Sequence, residues 1–431
     1  MSFSKQVYQS FSWRLGYYIS LFVLNICISR YFQSVATGWF NYTISICSLL
    51  ILAVGFSLDS AIGYFVARGN FRIDAISGFI FSWAIVAALI ATPLAFMGYR
   101  SDYLSTSDSN LLWGTCLFIV GNLFITMLQA VFYAQRDFRF SNAVGVIFNV
   151  LLMGVLVLRH SLDQRISIFE FLQLYGISFF LQGLIFGMVL QQRNKIRLFR
   201  GFDLPAIRLL FRYASLVFTS NLVFFLVYRI DYWFVNKYCN EDLLGNYIQA
   251  AKLVQVFLIL PASIANVIFS NIAGGNIDLS DRLKRLSRLM VGAFAGVLIL
   301  LGLTGRWLFP FLFGPSFDKM YSPFLLLVPG IICLTIIALL GAYFGGKNLA
   351  RVNLTGALIA LGFMIAGDLV LIPRFQINGA AIASSISYAS YLVYMLNWFN
   401  KNEAKGIIDF FICTKQDLQY LRSFILTKRI K

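Results

Sequence analysis

The sequence predicts an all-α polytopic membrane protein with about twelve transmembrane helices. Hydrophobic residues make up 59% of the 431 residues and charged residues only 12%. In soluble domains, about 45–50% of the residues are apolar and about 25% are charged. The mean hydropathy is +0.77, and the apolar residues are grouped in long runs. Since a transmembrane helix needs about 20 apolar residues, about twelve of them would leave no room for a large soluble domain.

The first six predicted helices are joined by short connections. The opening apolar run resembles a signal peptide, but no small-residue cleavage site follows it, so we assign it as the first transmembrane helix. Charged residues, or Gly and Pro, bound each of the later runs. The six helices are predicted at residues 14–34, 38–58, 75–98, 111–134, 141–158 and 168–190.

Six further helices are predicted in the second half of the chain. Gly and Pro lie inside some of these runs, as at Pro261 and at the pair Pro329 and Gly330. Such residues mark kinks that would let a helix bend during transport. The six helices are predicted at residues 211–236, 246–271, 289–312, 323–345, 352–372 and 378–399.

The two halves of the chain resemble each other. The segment FYAQRDFRFSNAVGVIFN in the first half aligns with AYFGGKNLARVNLTGALIA in the second. The matched residues of the two segments are separated by a nearly constant number of positions along the chain. Duplicated lobes give such spacing, and an even number of helices per repeat makes the repeats parallel. We therefore predict an N-terminal lobe at 1–192, a cytoplasmic linker at 193–210 and a C-terminal lobe at 211–399. Each lobe would contain six helices, and the lobes would rock around a central cavity.

Basic residues predict the orientation of the helices. The chain has 35 Lys and Arg against 18 Asp and Glu, which gives a net charge of +17. In a soluble protein this excess would suggest nucleic acid as the partner. In a membrane protein it instead marks cytoplasmic loops and attracts anionic membrane lipid. Every second connection, counted from the N-terminus, carries at least two basic residues, and this pattern places both termini in the cytoplasm.

Residues 400–431 form a basic tail after the last predicted helix. The spacing of its apolar residues, three and four positions with an interruption at Lys415, favours an amphipathic helix on the cytoplasmic membrane surface. A disordered basic tail is the alternative. The apolar residues are Ile408, Phe411, Ile412, Leu418, Leu421 and Ile425.

Residues suited to catalysis or metal binding are sparse. The six cysteines are scattered and predict neither a disulfide framework nor a metal site. The single histidine, His160, falls in a short predicted loop, and no glycine-rich phosphate loop is present. The longer outer loops hold at most two acidic residues, as in RSDYLSTSDSN, which is a poor basis for glycosyl transfer. We therefore predict a protein without catalytic residues, cofactor or metal, and without nucleic acid as a partner.

Ionisable residues inside transmembrane helices are functional candidates, because each costs about 2.5–3.5 kcal/mol at the centre of a helix. The cations would bind an anionic group in a water-filled cavity, or they would extend to the membrane surface while the acids act as counter-ions. Amides would bind sugar hydroxyls or join helix to helix. Both interpretations stay open. The candidate substrate-binding residues are Arg229, Lys252, Asp231, Asp368, Arg30, Asn221 and Gln249.

Motifs in the second half resemble those of a transporter family. The segment RIDYWFVNKYCNEDLLGNYIQAAKLVQVFLILPASIANVIFSNIA contains an Asp, a G-x-Y-x-x-A motif and a proline-containing helix. The segment LVLIPRFQINGAAIASSISY is similar to an I-P-x-[YF]-G-I-x-G-A-A-x-A-T pattern, with Gln376 at the position of the usual Gly and Ser384 at that of Thr. These motifs resemble the polysaccharide repeat-unit flippases, the Wzx-type branch of the multidrug/oligosaccharidyl-lipid/polysaccharide exporter superfamily.

This resemblance implies a fold and a function. The fold would be the two-lobed one shared with multidrug and toxin extrusion (MATE) transporters, and the protein would work by alternating access. The cargo would be an undecaprenyl-diphosphate-linked oligosaccharide, moved from the cytoplasmic to the outer leaflet of a bacterial inner membrane for O-antigen or capsule assembly. Arg229 and Lys252 would face the anionic lipid. A polysaccharide polymerase and a chain-length regulator would be partners.

Alternative functions come from other classes. A drug/cation antiporter of the same superfamily would be expected to carry an acidic coupling site in its first helices, but the first predicted helix has no acid. A cell-wall precursor flippase of the fourteen-helix type would need two further helices, for which the tail is too charged. A membrane-embedded glycosyltransferase or polymerase is the enzymatic alternative, and the sequence lacks the acidic loop that it would need.

Overall fold

The computed structural model of the protein describes residues 3–67, 73–102, 109–135, 137–194, 204–273, 280–403, 406, 408–412 and 417. Within these residues every regular element is a helix, and no strand is present. The first six helices are α1 (Phe3–Gly55), α2 (Leu58–Ala67), α3 (Ile73–Asp102), α4 (Ser109–Ala134), α5 (Phe138–Ser161) and α6 (Ile168–Asn194). The next six are α7 (Leu204–Tyr238), α8 (Glu241–Phe257), α9 (Ile259–Ala273), α10 (Ser280–Phe313), α11 (Tyr321–Gly346) and α12 (Ala350–Asn402). Two 3₁₀-helices, Pro315–Met320 and Ile408–Phe410, follow α10 and α12.

Helices α1 and α12 each contain two of the predicted transmembrane segments. Helix α1 is kinked at Gln33, where φ is 63° and ψ is −178°. Helix α12 is kinked at Gln376, where φ is 51° and ψ is −133°, just after Pro373. A positive φ departs from helical geometry, and proline removes a helical hydrogen bond. The connections predicted at these two places are therefore kinks and not loops.

The number of membrane-spanning helices is consistent with the predicted twelve, although the two counts differ. Among the described residues, nine helices are long and apolar enough to cross a membrane. Two of these, Ser12–Gly55 and Ala350–Asn402, have 44 and 53 residues, and a single crossing needs only about 20. If α1 and α12 each cross the membrane twice and α3 crosses it once, these helices provide twelve membrane-spanning segments. The predicted class, an all-α polytopic membrane protein, is confirmed.

The chain folds into two compact units, Met1–Phe225 and Leu226–Lys431. The division falls inside α7, which begins at Leu204. The end of the predicted linker, 193–210, is therefore helical, while residues 195–203 lie outside the described part of the chain. The lobe boundaries drawn from the sequence stay a prediction.

Glycines allow α4 and α6 of the first unit to approach each other closely. Gly114 and Gly121 lie on α4, and Gly176 and Gly183 lie on α6. A Cβ atom at Gly121 would lie 2.4 Å from the carbonyl carbon of Phe179, and one at Gly176 would lie 2.2 Å from the carbonyl oxygen of Gly114. Small residues let helix backbones meet in this way inside a membrane. The two helices can therefore pack together only while these positions stay small.

A Gly121→Val substitution is expected to destabilise the first unit. Its side chain would overlap the backbone of α6, and overpacking of a close-packed core typically costs about 1–3 kcal/mol. Thermal unfolding of the purified protein in detergent should show a lower midpoint. Gly154→Val is the matched control, because a Cβ atom at Gly154 meets no atom within 4 Å. Equal midpoints for the Gly121 variant and the unmodified protein would contradict the close approach of α4 and α6.

Helix α11 is central to the second unit, where it packs against α8, α9, α10 and α12. Its C-terminal end is joined to the end of α12 through polar contacts. Glu403 accepts hydrogen bonds from Lys347 and, at 2.8 Å, from the hydroxyl of Tyr343. Burial opposes the charge of Lys347, but the hydrogen bonds with Glu403 and Tyr343 outweigh it and raise the pKa of Lys347. These contacts fix the relative position of the two helix ends.

The predicted amphipathic tail lies largely outside the described residues. In its described part, Ile408–Phe410 form a 3₁₀-helix. The side chain of Phe410 is fully buried, whereas Phe411 and Ile412 are exposed. Among residues 409–412 the buried apolar residue is thus Phe410, which the predicted periodic stripe did not include.

Candidate functional site

Polar side chains of α7, α8 and α12 meet within the second unit. Helix α7 contributes Arg229 and Asp231 within a hydrophobic stretch. Helix α8 contributes Tyr247 and Lys252, and its start is fixed because the Asn240 side chain accepts a hydrogen bond from the backbone N–H of Leu243. Helix α12 contributes acidic and hydroxyl groups on either side of its kink. These residues form two clusters, one acidic and one basic.

The acidic cluster is built around Asp231, which is 3% exposed. Its carboxylate accepts hydrogen bonds from the hydroxyl of Tyr247 at 2.5 Å and from Ser384 Oγ at 3.4 Å. The backbone N–H of Tyr232 donates a third bond at 2.9 Å. The hydroxyl groups of Tyr247 and Ser384 are themselves 3.2 Å apart. Residues from α7, α8 and α12 therefore share one buried hydrogen-bond network.

Asp368 of α12 is the second acid of this cluster. Its side chain is fully buried, and among the described residues neither carboxylate oxygen has a hydrogen-bond partner. It lies within electrostatic range of Asp231. A buried charge without partners is costly, and a second negative charge nearby adds to the cost. The pair is therefore suited to take up a proton or a small cation, which would neutralise it.

The basic cluster contains Arg229 and Lys252, both half-buried. Arg229 donates hydrogen bonds to Gln255 Oε1 and to the hydroxyl of Tyr232, each at 3.2 Å. Its guanidinium also lies over the Tyr232 ring, 5.2 Å from the centroid. Lys252 is within electrostatic range of Arg229. Two cations that act on each other in an apolar setting favour an anionic ligand such as a phosphate.

A pocket with about 320 Å³ of empty space lies beside these clusters. Its wall includes Asp231 of the acidic cluster and Gln255, the residue that holds Arg229. Tyr228 and Tyr388 contribute aromatic surface to the same wall. The pocket therefore borders both the acidic cluster, at Asp231, and the partner of the basic cluster, Gln255, within the second unit.

The other candidates from the sequence have different surroundings. Gln249 is buried, and its Oε1 has no partner among the described residues. Asn221 lies in the first unit and donates a hydrogen bond to Ser57 Oγ at 3.0 Å, which joins α7 to the break between α1 and α2. Arg30 is an exposed residue of α1. In the second unit the structure thus brings Arg229, Asp231, Lys252 and Asp368 together, whereas the observed bond of Asn221 joins helices.

Sequence reasoning did not assign roles to three residues of this site. Tyr247 and Ser384 were visible only as motif positions, yet both bind the carboxylate of Asp231. Gln255 was one of many amides, and its contact with Arg229 depends on how α7 and α8 pack. For Tyr247 and Ser384, the family motif was the one available signal of a role.

The fold is similar to that of solved transporters. A lipid II flippase, MurJ, in an inward closed conformation superposes with a TM-score of 0.69 at 13% identity, covering 96% of this chain and 92% of that one. A MOP superfamily transporter from Pyrococcus furiosus gives 0.67 at 12% identity, covering 92% and 94%. An outward-facing MATE family multidrug resistance transporter gives 0.68 at 12% identity, covering 92% and 95%. These are structures of transporters and flippases, not of enzymes.

Sequence comparison identifies the family. Among curated proteins, none matches the chain. Residues 71–322, more than half of the chain, match the family described as polysaccharide biosynthesis protein. The chain therefore belongs to this polysaccharide biosynthesis protein family, and it shares its fold with MurJ and with a MOP superfamily transporter.

Proposed function

We propose that the protein is a flippase for undecaprenyl-diphosphate-linked oligosaccharide repeat units. It moves them from the cytoplasmic to the outer leaflet by alternating access, for the assembly of O-antigen or capsule. The observation that carries this proposal is the match of residues 71–322 to the polysaccharide biosynthesis family, on a chain with the fold of a lipid II flippase.

The basic cluster supplies the binding chemistry for such a cargo. Arg229 and Lys252 would bind the diphosphate, since a guanidinium can donate two parallel hydrogen bonds to phosphate oxygens. Gln255 and Tyr232 hold the guanidinium in place before the cargo arrives. A cation fixed in this way loses less conformational entropy on binding. The buried amide of Gln249 is a candidate for contacts with sugar hydroxyls.

The acidic cluster supplies a means of coupling transport to an ion gradient. Asp231 and Asp368 would take up a proton or a monovalent cation, which travels as a co-substrate. Binding would change the charge of the hydrogen-bond network that joins α7, α8 and α12 through Tyr247 and Ser384. A ligand shifts a conformational equilibrium by its difference in affinity between the states. Ion binding can therefore drive the cycle.

We further propose the cellular setting that this function requires. The protein would reside in a bacterial inner membrane with both termini in the cytoplasm, as the distribution of basic residues favours. A polysaccharide polymerase and a chain-length regulator would act on the repeat units after translocation.

A drug/cation antiporter is the second candidate function. The fold similarity to a multidrug resistance transporter and the buried acid pair support it. In that function the acid pair would exchange a proton or cation for a cationic drug. The basic cluster would then repel the cargo, so its position beside the pocket favours an anionic cargo over a cationic one.

Gene deletion with complementation tests the proposed function. We expect deletion to abolish surface polysaccharide and to leave lipid-linked repeat units in the cytoplasmic leaflet, where they are inaccessible to an added periplasmic label. Restoring the gene should reverse both effects. Unchanged polymer in the deletion strain, together with increased drug sensitivity, would contradict the flippase and support the antiporter.

A further inference from the structure

The start of α10 carries a basic cluster that the proposed transport function does not use. Its members are Lys284, Arg285 and Arg288, and we call it the α10 basic cluster. The side chains of Lys284 and Arg288 are only 7% and 14% exposed. Cations with so little exposure at one end of a membrane-spanning helix need anionic partners.

Two carboxylates of the C-terminal tail bind this cluster. Asp417, whose side chain is 1% exposed, contacts Arg288 through two hydrogen bonds of 2.7 and 2.9 Å. Arg285 lies 3.4 Å from the same carboxylate. Asp409 accepts a hydrogen bond of 3.1 Å from Lys284 Nζ. The cluster therefore holds two anions at once.

An uncharged contact anchors the tail separately. Phe410 is fully buried, and its ring lies 5.3 Å from that of Phe399 at the end of α12. Ser287 of α10 donates a hydrogen bond of 2.9 Å to the carbonyl oxygen of Phe410. The tail is thus fixed at Phe410 by packing and, seven residues later, at Asp417 by charge.

We propose that the α10 basic cluster is a binding site for anionic lipid headgroups, which the carboxylate of Asp417 occupies in competition with lipid. Helix α10 is a candidate membrane span from Ser280 onwards, so the cluster lies where the chain enters the membrane. Headgroups lie at that level, and basic residues beside a span attract anionic lipid. A bidentate carboxylate uses the same guanidinium donors that a lipid phosphate would use.

The neighbourhood of the cluster fits a membrane surface. Phe411 and Ile412, directly after the anchor, are exposed apolar side chains. An anionic bilayer therefore offers a hydrophobic contact for these residues as well as phosphates for the cluster. Because Phe410 keeps the tail attached, lipid would displace Asp417 without releasing the whole tail.

Trypsin cleavage in lipid nanodiscs tests this proposal. The sequence places Lys415 between the anchor at Phe410 and the ionic contact at Asp417. We expect cleavage after Lys415, measured by mass spectrometry, to be about fivefold faster or more in nanodiscs with phosphatidylglycerol than in pure phosphatidylcholine, since cleavage follows the population of the open form. Asp417→Asn should cleave fast in both lipids. Arg282→Gln, which alters an exposed Arg on the same helix, should behave like the unmodified protein.

A direct lipid count makes the proposal falsifiable even if one variant is unstable. Native mass spectrometry should show more retained phosphatidylglycerol on Asp417→Asn than on the unmodified protein, and Arg288→Gln in the Asp417→Asn background should reverse the gain. Equal cleavage in both lipids, or equal lipid counts in the variants, would overturn the proposal. Acceleration by inorganic phosphate in phosphatidylcholine to the same extent would also overturn it, because the site would then bind any anion.

Discussion

Replacing Asp368 by Asn is expected to stop transport while leaving the fold intact. The amide has nearly the shape of the carboxyl group but cannot take up a proton or bind a cation as a carboxylate does. We expect the transport rate to fall at least tenfold, which corresponds to about 1.4 kcal/mol. The thermal midpoint should stay the same or rise, because the substitution removes a buried carboxylate without partners among the described residues. Translocation of a lipid-linked oligosaccharide into reconstituted vesicles would measure the rate.

Matched variants separate ion coupling from a general effect of removing an acid. Glu241→Gln alters an exposed acid at the start of α8 and should leave the rate unchanged. Asp231→Asn combined with Asp368→Asn should be no slower than the slower single variant, since both acids would act as one ion site. Full transport by Asp368→Asn would contradict the coupling role of the acid pair.

Much of the fold was predictable because the membrane imposes a strong pattern on sequence. Apolar runs gave the helices, but the sequence could not show that the segments around residues 33 and 376 would be kinked helices without an intervening loop. Gln376 illustrates the reason. Its φ of 51° is a conformation that favours glycine, and glycine is the usual residue of the motif that Gln376 interrupts. The motif thus reflects a backbone requirement that can be understood only with the structure.

The candidate site was predictable in its charges but not in its connections. Burial of a charge in a membrane helix is rare, so Asp231 and Asp368 could be selected from sequence alone. The hydroxyl partners Tyr247 and Ser384 come from other helices, and their approach depends on helix packing. Single polar residues in apolar helices do not encode that packing. For the same reason, Asn221 could not be assigned in advance to its contact with Ser57.

Replacing Arg229 by Ala is expected to reduce transport at least tenfold while the protein still reaches the membrane. The substitution removes the guanidinium that Gln255 and Tyr232 hold in place, and with it the proposed diphosphate contact. Arg229→Lys should retain an intermediate rate, because an ammonium group keeps the charge but cannot donate two parallel hydrogen bonds. Transport of lipid-linked oligosaccharide, normalised to the amount of protein in the membrane, would measure these rates.

The pattern across several variants decides whether Arg229 binds cargo or stabilises helices. Lys237→Ala alters an exposed basic residue of the same helix, α7, and should transport normally. Lys252→Ala should lower transport in the same direction as Arg229→Ala, because both cations would contact one diphosphate. A role in binding further requires that Arg229→Ala lose affinity for an oligosaccharide diphosphate lipid more than for its uncharged analogue. Equal losses for both lipids, together with a lowered thermal midpoint, would assign Arg229 to helix packing and remove the basic cluster as the cargo site.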